Sequence, residues 1–230
     1  MISLSCTVMH ASFDKKRRYN VHQLISQIGE DNIRKHWATF EVKGDMHGRG
    51  CWWNAKRCWR HGLYAPTTHH LLIQDDIRVC DHFAEDVLKV IEARPTEVIS
   101  LFCLPRKGFA GLEHRWGEAE GVWGCGIVMP KEVIADFLEW ERENIRPDFP
   151  HDDSRLSLYL VKHKMTAKVP FPNLIDHLAL PSTFGARQKS RHSPCFLEQG
   201  RPADYDWTVT EPQMKSINSY THFNEYLIQQ

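Results

Sequence analysis

Over its first 104 residues the chain alternates short β-rich runs with longer stretches of helical apolar spacing, and few fold classes accept that order. Residues 2–10 (ISLSCTVMH) read as a strand. Val21, Leu24, Ile25 and Ile28 then recur at helical intervals and Gly29 closes the helix. Residues 38–42 (ATFEV) give a second strand, and 52–61 a short helix ended by Gly62. Residues 70–73 give a third strand. Asp81 is placed to cap a helix carrying Phe83, Val87, Val90 and Ile91, and 97–104 (EVISLFCL), almost free of charge, reads as a central strand. The β-α-β-α-β-α-β order predicts an α/β fold with a mostly parallel sheet flanked by helices, a Rossmann-type arrangement. Ligands in such sheets bind beyond the carboxyl ends of the strands.

The second half is less regular. Residues 121–129 (GVWGCGIVM) read as a strand interrupted by small residues, and Pro130 opens a helix with Val133, Ile134, Phe137 and Leu138. Asp153 or Ser154 is expected to cap a helix carrying Leu156, Tyr159 and Leu160, followed by a short strand at 166–171. Residues 1–184 are read as one domain. Residues 185–230, poor in periodic apolar stretches, are read as a C-terminal extension that is either flexible or ordered by the acceptor.

With 230 residues, 42% of them hydrophobic and 25% charged, the chain suits a single packed core. Twenty-nine basic residues balance 29 acidic ones, which argues against binding to nucleic acid or membrane by bulk charge. Seven cysteines, odd in number and without a C-x-x-C pair, suggest reduced thiols rather than a disulfide frame, hence a cytoplasmic setting, with a virus-encoded protein as one version of it. No apolar run approaches 18 residues, so no membrane span is expected.

The third strand runs straight into Gln74-Asp75-Asp76. Adjacent carboxylates repel and are costly to desolvate, so they either face water or have a positive charge between them. A carboxylate pair at a strand end is one way to hold Mg²⁺ or Mn²⁺ with positions left for phosphate oxygens. An ordinary turn or helix cap is the alternative. Asp152-Asp153 forms a second pair before a helix, and His177 follows in VPFPNLIDH.

Taken with Trp123-Gly124-Cys125-Gly126, these motifs occur in an order that resembles the GT-A class of nucleotide-sugar glycosyltransferases. The likeness is greatest to small lipopolysaccharide- and collagen-type galactosyltransferases. It spans roughly residues 4–185 as spaced short motifs and extends to phage enzymes that glycosylate DNA. The resemblance implies that Gln74-Asp75-Asp76 is a variant of the D-x-D motif, with Asp76 the metal ligand and Asp75 near the donor. Gln74 stands where the class often has an acid. It further implies that His10, Arg17 and Arg18 in the loop MHASFDKKRR hold the nucleotide, and that Asn54 and Arg57 also contact the donor. Trp123 and Gly124 would pass close to the donor sugar, an aromatic face and a small residue suiting that approach. Asp153 would be the general base, with Asp152 its polar neighbour, and His177 would complete the metal shell. A carboxylate at a helix N-terminus is expected to have its pKa lowered by the dipole.

The implied reaction is transfer of a sugar from a nucleotide-sugar, taken as a UDP-sugar, to an acceptor hydroxyl. It inverts if Asp153 is the base, and retention stays open if Asp153 is structural. The acceptor is either a glycan or a hydroxymethylated pyrimidine in DNA, which would have to be flipped out or single-stranded. Two rival readings use the same residues. One is a metal-dependent phosphoesterase or nuclease. The other is a non-catalytic nucleic-acid binding module built on the KKRR run, the ARQKSRH segment and eight tryptophans.

Overall fold

The computed structural model describes residues 1–104, 115–180, 191–197, 207 and 227–228. A seven-stranded sheet has the order β2-β1-β3-β7-β5-β8-β6. Its strands are β1 (Leu4–His10), β2 (Thr39–Gly44), β3 (His69–Gln74), β5 (Ile99–Ser100), β6 (Trp116–Ala119), β7 (Gly126–Pro130) and β8 (Ala167–Pro170). Every strand but β6 and β7 runs in one direction, so the sheet is mostly parallel. A two-stranded antiparallel ribbon, β4 (Ile77–Val79) with β9 (Ile175–His177), stands beyond the end of β3.

Alternate residues of the central strands face two separate cores, which makes three layers. On one side Leu4, Cys6, Val8, Leu71 and Ile73 pack against α1 (Lys15–Ile28), α2 (Glu30–His36) and α4 (Phe83–Ala93). On the other, Met9, Leu72, Ile127 and Met129 pack against α3 (Cys51–Tyr64), α5 (Lys131–Asn144) and α6 (Asp152–Lys162). The two-residue periodicity of strands dictates this split. The seven cysteines are free thiols, six of them buried. Among the described residues no helix is long and apolar enough to cross a membrane.

Several local expectations change. Gly29, with φ of 82°, ends α1 but also begins α2, a helix its sequence did not announce. Gly62 does not terminate α3, which continues to Tyr64. Its role is close packing, since a Cβ there would lie 2.3 Å from Cγ of the buried His70 ring. That ring is held by the hydroxyls of Ser5 (2.8 Å) and Thr7 (2.9 Å), and burial lowers its pKa to about 3, so it is neutral. Residues 121–125 form a turn and β7 begins only at Gly126, and the charge-poor run 97–104 gives only the two-residue β5. His151 rather than Asp153 or Ser154 is the cap of α6, placing both aspartates in its first turn.

The boundary proposed at residue 184, and most of 185–230, lie outside the described residues. The described part of that extension packs on the domain. Trp207 and Cys195 are buried, Trp116 Nε1 donates to Trp207 O (2.8 Å), and Leu227 forms a bridge with Ile145.

Candidate active site

From β1 the chain goes on to β2 at the sheet edge, and from β3 it goes on to β5 in the opposite direction along the sheet. The topological switch point, the crevice position at which open α/β sheets take their ligands, therefore falls between the carboxyl ends of β1 and β3. His10 ends β1, and Asp75 and Asp76 follow β3 directly. Both aspartates are buried, 1% and 6% exposed, so the water-exposed alternative does not hold.

The positive group between them is Arg17. Asp14 caps α1 by accepting from the backbone N–H of Lys16 (2.7 Å) and Arg17 (3.0 Å), and this turns Arg17 inward, where it is 7% exposed. Its guanidinium forks, donating to Asp75 Oδ1 and, at 2.8 Å, to Asp76 Oδ2. Arg18, one position on, is exposed on the same helix. His10 Nδ1 (2.8 Å) and the Ala11 N–H (2.7 Å) both reach Asp75 Oδ2. Asn20 fixes the backbone of the pair by donating to Asp75 O at 2.6 Å.

The two aspartates therefore differ. Asp75 has both oxygens engaged. Asp76 Oδ2 takes Arg17 and lies 3.4 Å from His177 Nε2, while the buried Oδ1 has no hydrogen-bond partner, and neither has His177 Nδ1. His177 is brought there by the β4–β9 ribbon, which pairs it with Ile77, the neighbour of Asp76. Burial pushes the Asp76 pKa upward, but the hydrogen bond from His177 and the charge of Arg17 outweigh it, and the net shift is downward.

The orphaned Asp76 oxygen beside His177 fits a divalent cation of the phosphate-bridging type. Mg²⁺ and Mn²⁺ sites commonly use one or two protein ligands, water and substrate phosphates. Among the described residues no three His, Cys, Asp or Glu side chains gather as a metal site. Asp76 and His177 would hold such an ion with the remaining positions left to water and phosphate.

The second carboxylate pair closes the crevice from the other side. Gln74 N donates to Cys125 O (3.1 Å), seating the 121–125 turn at the end of β3. Gly124 fills the narrow gap between the pairs. A Cβ there would lie 2.5 Å from Gln74 Nε2 and 3.0 Å from Asp152 Oδ2. Burial first, and then the charges of Asp76, Asp153 and Asp152 against that of Arg191, push the Cys125 thiol pKa up. Asp152 Oδ1 accepts from Cys51 Sγ at 2.8 Å, and Asp153 Oδ1 accepts from Ser154 N at 2.7 Å.

Burial, then the charge of Asp153, pushes the Asp152 pKa up to about 6. Asp153 is also raised by burial, against the lowering effects of its Ser154 hydrogen bonds and of nearby His151 and Arg191. This overturns the expectation that the helix dipole would hold Asp153 low. Desolvation exceeds the dipole because the helix N-terminus is covered rather than bathed in water.

Asn54 and Arg57, on α3, face the backbone of β2 and β1. Asn54 Nδ2 donates to Lys43 O (2.8 Å) and His10 O (3.3 Å), and Arg57 Nη1 donates to Gly44 O (3.1 Å). They brace the loop that carries His10 and stand one layer behind the carboxylates. Trp123 is edge-on to Phe102, and the Arg191 guanidinium lies 5.1 Å from its ring centroid. Asn20 and Cys51 were not legible as site residues, and Arg191 stood out only as part of the basic ARQKSRH segment. Only the fold brings them to the crevice.

No protein-family model matches the chain, and no curated protein matches its sequence. Its backbone is similar to that of solved structures at low identity. One is a mutant of Drosophila beta-1,4-galactosyltransferase 7 in complex with manganese, UDP-Gal and xylobiose, at 7% identity and TM-score 0.48, covering 85% of this chain and 77% of that one. Another is a putative glucose-1-phosphate thymidylyltransferase from Bacillus anthracis in complex with a sucrose, at 9% identity and TM-score 0.42, covering 76% and 89%.

Proposed function

We propose that this chain is a GT-A-like glycosyltransferase that moves a sugar from a nucleotide-diphosphate sugar to an acceptor hydroxyl. The observation that carries the reading is the pair of carboxylate pairs facing one crevice across Gly124 and Cys125, with Asp76 of one held low by His177 and Arg17 and the other pair raised by burial. An ionised site with a spare oxygen suits a charged diphosphate and its cation. A carboxylate pair titrating closer to neutrality suits proton transfer.

In this reading His10 and Arg17 flank the nucleotide end of the donor, with Arg18 at the rim and Asn54 and Arg57 bracing the loop. Trp123 and Gly124 border the sugar. A divalent ion at Asp76 and His177, Mn²⁺ or Mg²⁺, would supply positive charge against the departing diphosphate. Asp153, the less buried of its pair, takes the proton of the acceptor hydroxyl as that oxygen bonds to the anomeric carbon. The bond from that carbon to the diphosphate breaks, and its electron pair leaves with the nucleoside diphosphate. This single displacement inverts the anomeric centre. The acceptor is a glycan or a hydroxymethylated base in DNA.

Thermal unfolding with a panel of nucleoside diphosphates and nucleotide-sugars, with and without Mn²⁺, tests the reading. A ligand at about 100 times its Kd adds about 2.7 kcal/mol, a shift of roughly 5–10 °C for a domain of this size. A manganese-dependent shift with one nucleotide, UDP being the first to try, is the expected result. No shift with any nucleotide would return the site to a phosphoesterase or to a structural carboxylate cluster.

A further inference from the structure

Outside the crevice the most unusual surface lies along α3. From Met46 to Gln74 the chain has no Asp or Glu, although its total charge is zero, and α3 itself carries Lys56, Arg57, Arg60 and His61. Lys56 is ion-paired with Glu141 on the α5 side (3.0 Å). The others border a surface groove of about 430 Å³ between α3 and β2, the edge strand of the sheet. Among the described residues Glu41 reaches this face, where it is engaged by Lys43 and lies 3.5 Å from His61.

Aromatic rings interleave with these cations. Trp53, Arg57, Arg60 and Tyr64 follow at intervals of three or four residues and so form one stripe, about 16 Å long at 1.5 Å per residue. The guanidinium carbons of Arg49 and Arg57 lie 4.8 and 4.6 Å from the Trp53 ring centroid, which fixes two cations beside one ring. Tyr64 is 80% exposed, an unusual position for a ring that covers nothing. Cations that track a backbone beside rings that stack on bases make up a single-strand nucleic-acid track, and an acidic peptide has less use for the rings.

The groove runs from Thr39, Ala65 and Pro66, at the start of β2, up to Lys43 and Arg57 near its carboxyl end. Its helix begins at Cys51, whose thiol contacts Asp152, and Arg57 holds Gly44 at the end of β2. We infer that the α3–β2 groove binds a single-stranded stretch of nucleic acid and feeds it toward Asp153. The inference rests on the transferase reading for its purpose and chooses DNA or RNA as the acceptor class. Binding itself stands or falls independently of that reading.

The experiment is fluorescence anisotropy of a labelled oligothymidylate 12-mer, titrated with the full chain at several salt concentrations. A doubly substituted chain, Arg60→Glu with Tyr64→Ala, is measured beside it. Both residues are exposed and lie outside the proposed catalytic machinery. The wild type is expected to bind with an affinity that falls steeply with salt. The double variant should bind at least about tenfold more weakly, with a salt slope smaller by about 0.7 for each phosphate that it no longer neutralises. The manganese-dependent nucleotide shift should be the same in both proteins, which separates this inference from the transferase reading. No binding by the wild type at low salt would overturn it, as would equal binding by the double variant. A poly-glutamate peptide that binds as tightly as the oligonucleotide would reassign the groove to acidic protein partners.

Discussion

The chain contains two crevice-lining Asp-Asp dipeptides, and the structure gives them opposite electrostatics. Asp75-Asp76 is buried, 1% and 6% exposed, yet Arg17 and His10 engage Asp75, and His177 and Arg17 hold Asp76 below its ordinary pKa. Asp152-Asp153 faces a thiol, a hydroxyl and backbone N–H groups, and burial pushes both pKa values up. Whether hydrogen-bonded cations outweigh burial, rather than the dipeptide itself, sets the direction in which each buried carboxylate's pKa moves.

Several substitutions break or sharpen that contrast. Asp153→Asn removes the proposed proton acceptor and should lower turnover on the order of 10²–10⁴-fold in a sugar-transfer assay. Normal turnover in that variant would make Asp153 structural and reopen a retaining route. Arg17→Met leaves the ionised pair buried without its cation and should cost about 3–5 kcal/mol in chemical denaturation without added metal. Part of that loss should return when Mn²⁺ is added, because the ion offers the charge that Arg17 supplied.

Asp152→Asn goes the other way. A carboxyl whose folded pKa is raised to about 6 contributes stability below its unfolded value, near 4, and loses it as pH rises through about 6. The wild type therefore carries a penalty at pH 8 that the amide does not. Asp152→Asn should be more stable by roughly 1–3 kcal/mol at pH 8, and the gain should vanish by about pH 4. Urea denaturation at the two pH values reads the difference directly. The smallest effect belongs to Asn20→Ala, which frees the backbone carbonyl of Asp75 and should cost about 1 kcal/mol in the same assay.

Much of the fold was legible because its first half keeps strict periodicities. β1, α1 and β3 bury the stripes that their apolar spacing predicts. The failures concern small residues, whose side chains carry little pattern. Gly62 reads as a stop signal but packs against His70. Gly124 and Cys125 read as strand but form the turn that separates the two carboxylate pairs. Both pairs could be found as dipeptides. Their partners could not, because Arg17 lies 58 residues from Asp75 and Cys51 lies 101 residues from Asp152.

Binding calorimetry of UDP with Mn²⁺ to the wild type, Asp76→Asn and Asp153→Asn tests the division of labour most directly, since it needs no knowledge of the acceptor. The account predicts that Asp76→Asn loses manganese-dependent binding while Asp153→Asn binds as the wild type does. Equal loss in both variants, or full binding by Asp76→Asn, would contradict it.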